Sequence, residues 1–197
     1  MKNALIIFVR NPVSGKVKTR LAAGIGDAKA LQVYEHLLQH TQKIVKELPV
    51  TKFVYYADEI NEDDLWDGFE KRKQLGDDLG ERMRKAFEEL FAAGFSKVVI
   101  IGSDCFELTA DIINNAFGSL DESDVVIGPV MDGGYYLLGS NTFIPQFFIN
   151  KKWSTATVFS ETLKDAAALN LNVTQLPVLN DIDNEKDLRN SSLAFFV

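Results

Sequence analysis

Residues 97–104, Lys-Val-Val-Ile-Ile-Gly-Ser-Asp, constrain the fold more than any other stretch of the chain. Val98 to Ile101 form an uninterrupted apolar, β-branched run with no polar face to offer to water. Such a run predicts a short strand covered on both sides, the situation of a parallel sheet with helices on each face. Gly102 ends it, and Asp104 falls just past the carboxyl end, where open α/β sheets collect their ligands. Ser103 or Asp104 would serve equally well as the cap of a following helix, so this stretch alone leaves both roles open.

The remaining chain alternates in the same way. Further strands are predicted at Ala4–Val9, Lys52–Ala57, Asp124–Pro129, Tyr135–Gly139 and Asn172–Leu176. Between them, helical spacing covers Asp27–Leu48, a short acidic segment from Asn61 to Phe69, and a segment carrying Leu79, Met83, Ala86, Phe87, Leu90 and Phe91 inward behind an Asp77 or Asp78 cap. Helices are also expected from Thr109 to about Leu120, through the apolar residues Phe143–Asn150, over Thr157–Asn170, and at Asn184–Arg189. Strands alternating with helices over 197 residues mean one α/β domain spanning residues 1–197, large enough to need no disulfide.

Charge narrows the partners. The chain carries 21 Lys and Arg against 28 Asp and Glu, a net −7, which argues against nucleic acid as a partner. The apolar start of the chain stops at Arg10, too early for a signal peptide, and no run approaches the ~18 apolar residues of a membrane span, so a cytoplasmic protein is expected. The one cysteine, Cys105, excludes an intramolecular disulfide and reads as a buried structural thiol. His36 and His40 stand four apart but belong to no recognised metal motif, and read as solvated or packed.

Against that acidic background, Arg10, Lys16, Lys18 and Arg20 crowd into eleven residues that also hold Pro12 and Gly15. A strand, a glycine-containing basic loop and a helix form an arrangement suited to phosphate, although neither the P-loop nor the dinucleotide spacing is present. A solvated basic loop is the alternative. Gly76 and Gly80 flank a helix start, which suggests close approach of either a ligand or another element. Asp132-Gly-Gly is either an ordinary turn or the carrier of a functional acid. Trp153-Ser-Thr155 suits a lid or a surface anchor. Acids and cations at several strand ends, without a histidine or thiol constellation, suit a metal–diphosphate site.

These segments resemble the bacterial glycosyltransferases of the GT-A, nucleotide-diphospho-sugar transferase fold. The matching stretches are Phe8-Val-Arg10-Asn-Pro12-Val-Ser-Gly15-Lys16-Val-Lys18-Thr19-Arg20-Leu21, Gly76-Asp77 with Leu79-Gly80-Glu81-Arg82-Met83, and Gly102-Ser-Asp104-Cys105. To these are added Gly128-Pro129 with Asp132-Gly-Gly-Tyr-Tyr-Leu-Leu-Gly139, and Asp181-Ile-Asp183 with Asp187-Leu188. Phe106 stands where proline is usual, Asn184-Glu185 where Thr-Pro is frequent, and Asp104 is a single aspartate instead of an Asp-x-Asp pair.

The resemblance implies a three-layer α/β/α, Rossmann-like fold with a mostly parallel mixed sheet. It implies Mg²⁺ or Mn²⁺ held by Asp104 with Asp181 or Asp183, and phosphates faced by Arg10, Gly15, Lys18 and Arg20. Gly76, Asp77, Gly80 and Arg82 would contact the nucleotide, and Asp132 would border the acceptor, with Asp104, Asp132 and Lys18 in catalytic roles. The implied activity is glycosyl transfer from a nucleotide sugar to an unspecified small-molecule acceptor, and a homodimer is compatible with it. Two alternatives stay open: a nucleotidyltransferase releasing pyrophosphate from a nucleoside triphosphate, and a non-catalytic nucleotide-binding protein.

Overall fold

The computed structural model describes residues 2–197; Met1, included in the expected domain, lies outside the described residues. Seven strands form one sheet: β1 (Asn3–Val9), β2 (Thr51–Tyr56), β3 (Glu70–Lys73), β4 (Lys97–Ile101), β5 (Val125–Pro129), β6 (Tyr135–Ser140) and β7 (Val173–Gln175). Six helices accompany them: α1 (Thr19–Ile25), α2 (Asp27–Lys46), α3 (Leu79–Ala92), α4 (Ala110–Ser119), α5 (Val158–Ala168) and α6 (Glu185–Asn190).

The strand order is β3-β2-β1-β4-β6-β5-β7, with β6 alone running antiparallel to its neighbours. β1 and β4 lie at the centre, and both are apolar along nearly their whole length. Their alternate residues feed two cores. Leu5, Ile7, Val99 and Ile101 face α2 and α4, whereas Ala4, Ile6, Val98 and Ile100 face α3 and the segment around Phe147. This is the three-layer α/β/α fold expected, and the buried β-branched runs are its cause.

The antiparallel strand shapes the functional edge. β5 and β6 form a hairpin whose turn carries Asp132-Gly133-Gly134, so the C-terminal end of β5 and the first residue of β6 share one rim. The pairing register shifts between Gly128 and Pro129, where proline offers no ladder N–H. Gly139 in β6 sits where a Cβ would come within 2.8 Å of both Val126 Cγ1 and Val99 Cγ2, so the neighbouring valines fill the space a side chain would need.

Three local expectations are corrected. Asn61–Phe69 is a series of turns and not a helix: Asp64 accepts from the Trp66 N–H, the Asn61 side chain accepts from the Asp63 N–H, and Gly68 takes φ 79°. Such side-chain acceptors offer the backbone an alternative to helical bonds, while Trp66 still buries itself completely. Phe143–Asn150 contains only a 3₁₀ turn at Pro145–Phe148. Leu79, expected inward, is 42% exposed at the start of α3. Two elements were not anticipated: the edge strand β3, with the sequence Glu-Lys-Arg-Lys, and α1 inside the basic segment.

Substituting Gly139→Ala should destabilise the protein by about 1–3 kcal/mol, the usual penalty for overpacking a filled core. A thermal melt would register this as a loss of roughly 2–10 °C for a chain of this size. An unchanged melting temperature would mean that Val99 and Val126 can move apart freely.

Candidate active site

Because β1, β3, β4, β5 and β7 are parallel, the segments that follow them emerge at one edge of the sheet. There they line a cleft of about 750 Å³, the size of an ordinary small-molecule site. Arg10 to Arg20 follow β1, Gln74 to Arg82 follow β3, and Gly102 to Asp104 follow β4. Val130 to Gly134 follow β5, and Asp181 with Asp183 close the set beyond β7.

At the base of the cleft, Asp104, Asp181 and Asp183 each present a carboxylate oxygen, and these atoms lie within 4.8 Å of one another. The backbone assembles them. The Ile182 N–H donates to the Asp104 carbonyl at 3.1 Å, and Leu179 pairs with β5 through the Pro129 carbonyl. The Asn180 N–H donates to Glu107 at 2.8 Å. Beyond Asp183, Asn184 caps α6 in a capping box with Asp187, whose carboxylate also accepts from the Asp183 N–H. The change from Thr-Pro to Asn-Glu therefore preserves a helix start. Phe106, in place of proline, packs against the His36 and His40 rings, and His40 Nε2 meets the Leu108 carbonyl at 2.9 Å. Those histidines are packed.

Lys18 enters the acidic cluster from the opposite side. Its ammonium lies 3.2 Å from Asp104 Oδ2 and 3.1 Å from Asp183 Oδ1, with 7% of the side chain exposed. Burial alone pulls this ammonium down, but Asp104 and Asp183 outweigh it and the net shift is upward. The residue adopts φ 47° at the N-cap of α1, a left-handed conformation costing roughly 1–2 kcal/mol for a non-glycine residue. Arg20 reaches Asp183 at 3.3 Å from the solvent side.

Asp181 receives the opposite treatment. Burial, then the charges of Asp104, Asp183 and Asp132, push its carboxyl up to about 7, with Lys18 pulling the other way. Asp181 thus resists ionisation beside two further carboxylates, and an all-oxygen donor set of this kind fits a hard divalent cation such as Mg²⁺ or Mn²⁺.

On the far rim, Asp132 Oδ1 accepts from the Gly134 N–H at 2.9 Å, an Asx turn that leaves the other carboxylate oxygen free. Arg10, Lys16 and Arg82 also line the cleft, and among the described residues none has a carboxylate partner within salt-bridge distance. Arg82 Nε is held by the Gly76 carbonyl at 3.0 Å. Asp77 lines the cleft, while Gly15, Gly76 and Gly80 are not among the lining residues. Gly80 instead lies under the Trp153 indole with no room for a Cβ, which resolves its close approach in favour of another element. Asp78, not Asp77, caps α3. Cys105 is buried, its thiol pushed up to about 12 by burial and then by Asp104, and its Sγ lies 3.5 Å from the Asn180 carbonyl.

Three site residues escaped the sequence. The Tyr34 hydroxyl accepts from the Arg10 N–H at 2.9 Å and donates to the Arg10 carbonyl at 3.1 Å, fixing the start of the basic loop. Gln74 gives its amide N–H groups to the Val9 and Tyr55 carbonyls, so its own oxygen is an oriented acceptor beside the cleft. Glu107 holds Asn180. Tyr34 had been legible only as one apolar member of a helix face, and nothing in the sequence marked the other two.

Comparisons with known proteins bear on the family and the fold. Residues 40–155 match the family described as "Uncharacterized protein conserved in bacteria (DUF2064)". No curated protein gives a significant match. A crystal structure from Desulfovibrio desulfuricans G20, provisionally described as a nucleotide-diphospho-sugar transferase, is 31% identical with a TM-score of 0.91, covering 100% of this chain and 94% of its own. The inositol-1-phosphate CTP transferase of T. maritima shares the fold at 12% identity and a TM-score of 0.58, over 100% and 95% of the two chains. The Rv0371C protein of Mycobacterium tuberculosis H37Rv, solved with manganese, does so at 12% identity and 0.56, over 96% of each.

The raised Asp181 value has a signed consequence for stability. A carboxyl that is harder to ionise when folded favours the fold while protonated. That contribution is complete below the unfolded value of 3.8 and is lost as pH rises through about 7. In EDTA, Asp181→Asn should therefore gain on the wild type between pH 5 and pH 8. After discounting for partial solvent screening, the gain should reach about 1–2 kcal/mol, or roughly 2–8 °C in Tm. Parallel melting curves across that range would show instead that Asp181 is ionised throughout.

Proposed function

The chain belongs to the DUF2064 family, and from that premise we propose that it is a metal-dependent transferase acting on a nucleotide diphosphate, specifically a glycosyltransferase using a nucleotide-sugar donor. One observation carries this reading. Asp104, Asp181 and Asp183 converge at the carboxyl edge of the sheet, directly beside the cations of the Arg10–Arg20 segment.

In this reading, Asp104 with Asp181 and Asp183 holds Mg²⁺ or Mn²⁺, which when bound neutralises charge developing on the departing diphosphate. Arg10, Lys18 and Arg20 face the phosphates, where each charge-assisted hydrogen bond contributes roughly 1.5–3 kcal/mol. Gly15 and Gly76 shape the two loops. Asp77 and Arg82 border the nucleotide, and Gly80 seats the wall behind it. Asp132, with one oxygen held by the Gly134 N–H, keeps the other for the acceptor hydroxyl proton. Residues 1–197 act as one domain. No helix among the described residues is long and apolar enough to cross a membrane, and we place the protein in the cytoplasm.

A second reading, nucleotidyl transfer from a nucleoside triphosphate, is favoured by one feature. Arg10, Lys16 and Arg82 line the cleft without carboxylate partners among the described residues, leaving more positive charge than a diphosphate needs.

Thermal stabilisation by sugar nucleotides and nucleoside di- and triphosphates, with Mg²⁺, Mn²⁺ or EDTA, tests both readings. A ligand at a hundred times its Kd adds about 2.7 kcal/mol, or roughly 5–10 °C. A metal-dependent shift with a sugar nucleotide, abolished in Asp104→Asn, is expected, together with release of nucleoside diphosphate on turnover. Preference for triphosphates with pyrophosphate release would favour the second reading. No shift with any of these ligands would remove the case for an active site.

A further inference from the structure

The cation closest to the three carboxylates is the chain's own. Lys18 Nζ engages Asp104 Oδ2 and Asp183 Oδ1 at 3.2 and 3.1 Å, inside a pocket that leaves 7% of its side chain exposed. Two of the three groups offered to a divalent ion thus already share one ammonium. Arg20 also touches Asp183, but its side chain is 70% exposed and can withdraw into water at little cost. Lys18 cannot. An ammonium this deeply buried must keep an anionic partner, because an unpaired buried charge is strongly unfavourable.

A divalent ion bonded to those same oxygens would face the ammonium with no water between them, and the two positive charges would repel in a poorly screened site. Asp181 offers no refuge, since it belongs to the same cluster. Lys18 therefore gives up Asp104 and Asp183 only when another anion arrives within its reach. Among the groups a transferase of this kind must bind, the diphosphate is the one that brings such charge to the Arg10–Arg20 segment.

We propose that Lys18 is a specificity-determining residue that discriminates against the bare divalent ion and admits it together with a diphosphate. Phosphate oxygens take over the ammonium as the ion takes over Asp104 and Asp183. Metal and diphosphate then bind cooperatively, and each raises the affinity for the other by the same factor. This inference rests on the metal reading above and goes beyond it: it names the form in which the substrate is accepted.

Binding of Mn²⁺ alone, and of Mn²⁺ with inorganic pyrophosphate, followed by electron paramagnetic resonance and calorimetry, tests the inference without any turnover. Wild type, Lys18→Met and Lys18→Gln are compared, with Asp104→Asn as the site control and thermal melts to confirm that each variant is folded. Wild type should bind bare Mn²⁺ weakly and gain about tenfold or more from pyrophosphate. Lys18→Met should bind bare Mn²⁺ about tenfold tighter than wild type and lose most of that gain. Lys18→Gln repeats the measurement with a polar, neutral side chain and should show the same pattern. If both neutral variants bind bare Mn²⁺ no tighter than wild type, or keep the full pyrophosphate gain, the inference is overturned while the metal reading stands. If wild type binds no Mn²⁺ even with pyrophosphate, the metal reading fails and takes the inference with it.

Discussion

The ion-paired ammonium of Lys18 ties together three parts of the chain that are otherwise far apart. Its partners lie 86 and 165 residues away along the sequence, one after the central strand β4 and one beyond the last strand. Lys18 is buried while Asp104 and Asp183 keep 40% and 35% of their side chains exposed, so removing one member costs less than the about 3–5 kcal/mol of a fully buried pair. The same cost makes the arrangement informative. An ion triad of this kind adds little net stability over a well-packed apolar alternative, so its presence at the base of a cleft is better explained by chemistry than by folding.

What allows those parts to meet is the sheet. Parallel strands place their following loops at one edge, and the single antiparallel strand returns the chain to that edge as a hairpin turn carrying Asp132. A strictly parallel sheet would spend a crossover helix between β5 and its neighbour. The hairpin instead sets an acid on the rim and brings Tyr135 into the cleft wall directly after it. The late segment then runs beside β5 through the Val130–Leu179 bridge and crosses to Asp104 through the Ile182 N–H. Asp181 and Asp183 flank that last hydrogen bond, so their approach to Asp104 is set by backbone pairing and does not depend on side-chain reach alone.

Much of this was legible from residue order, and the illegible parts have definite causes. Asp104 could be found because a β-branched run and a glycine fix where a buried strand ends. Asp181 and Asp183 could be placed beyond a late strand from residue order, although that strand has only three residues, and the resemblance of several motifs in order implied their metal role. The segment from Asn61 to Phe69 misled because Leu65, Trp66 and Phe69 have helical spacing, while the hydrogen bonds of Asp64 and the left-handed Gly68 decide its conformation. β3 was invisible because an edge strand of Glu-Lys-Arg-Lys carries no apolar alternation; charge is the normal protection of an exposed edge. The partners of Lys18 are the deepest case. A cation in a basic, phosphate-like loop gives no local hint that it is committed to two distant carboxylates.

The two rims of the cleft are also not independent. Gly80, at the start of α3 on the nucleotide side, leaves just enough space for the Trp153 indole. Gly133, beside Asp132, lies against the Ala156 carbonyl with equally little room, and its own carbonyl accepts from the Phe159 N–H at 3.0 Å. Residues 153–156 therefore form a strap seated at each end on a glycine, with Ser154 held at φ 60° between them. A side chain at either glycine would have to displace the strap, so absence of a Cβ is the local requirement at both positions. The Trp-Ser-Thr stretch thus touches both rims of the cleft, at Gly80 on one side and, through Ala156, at Gly133 on the other.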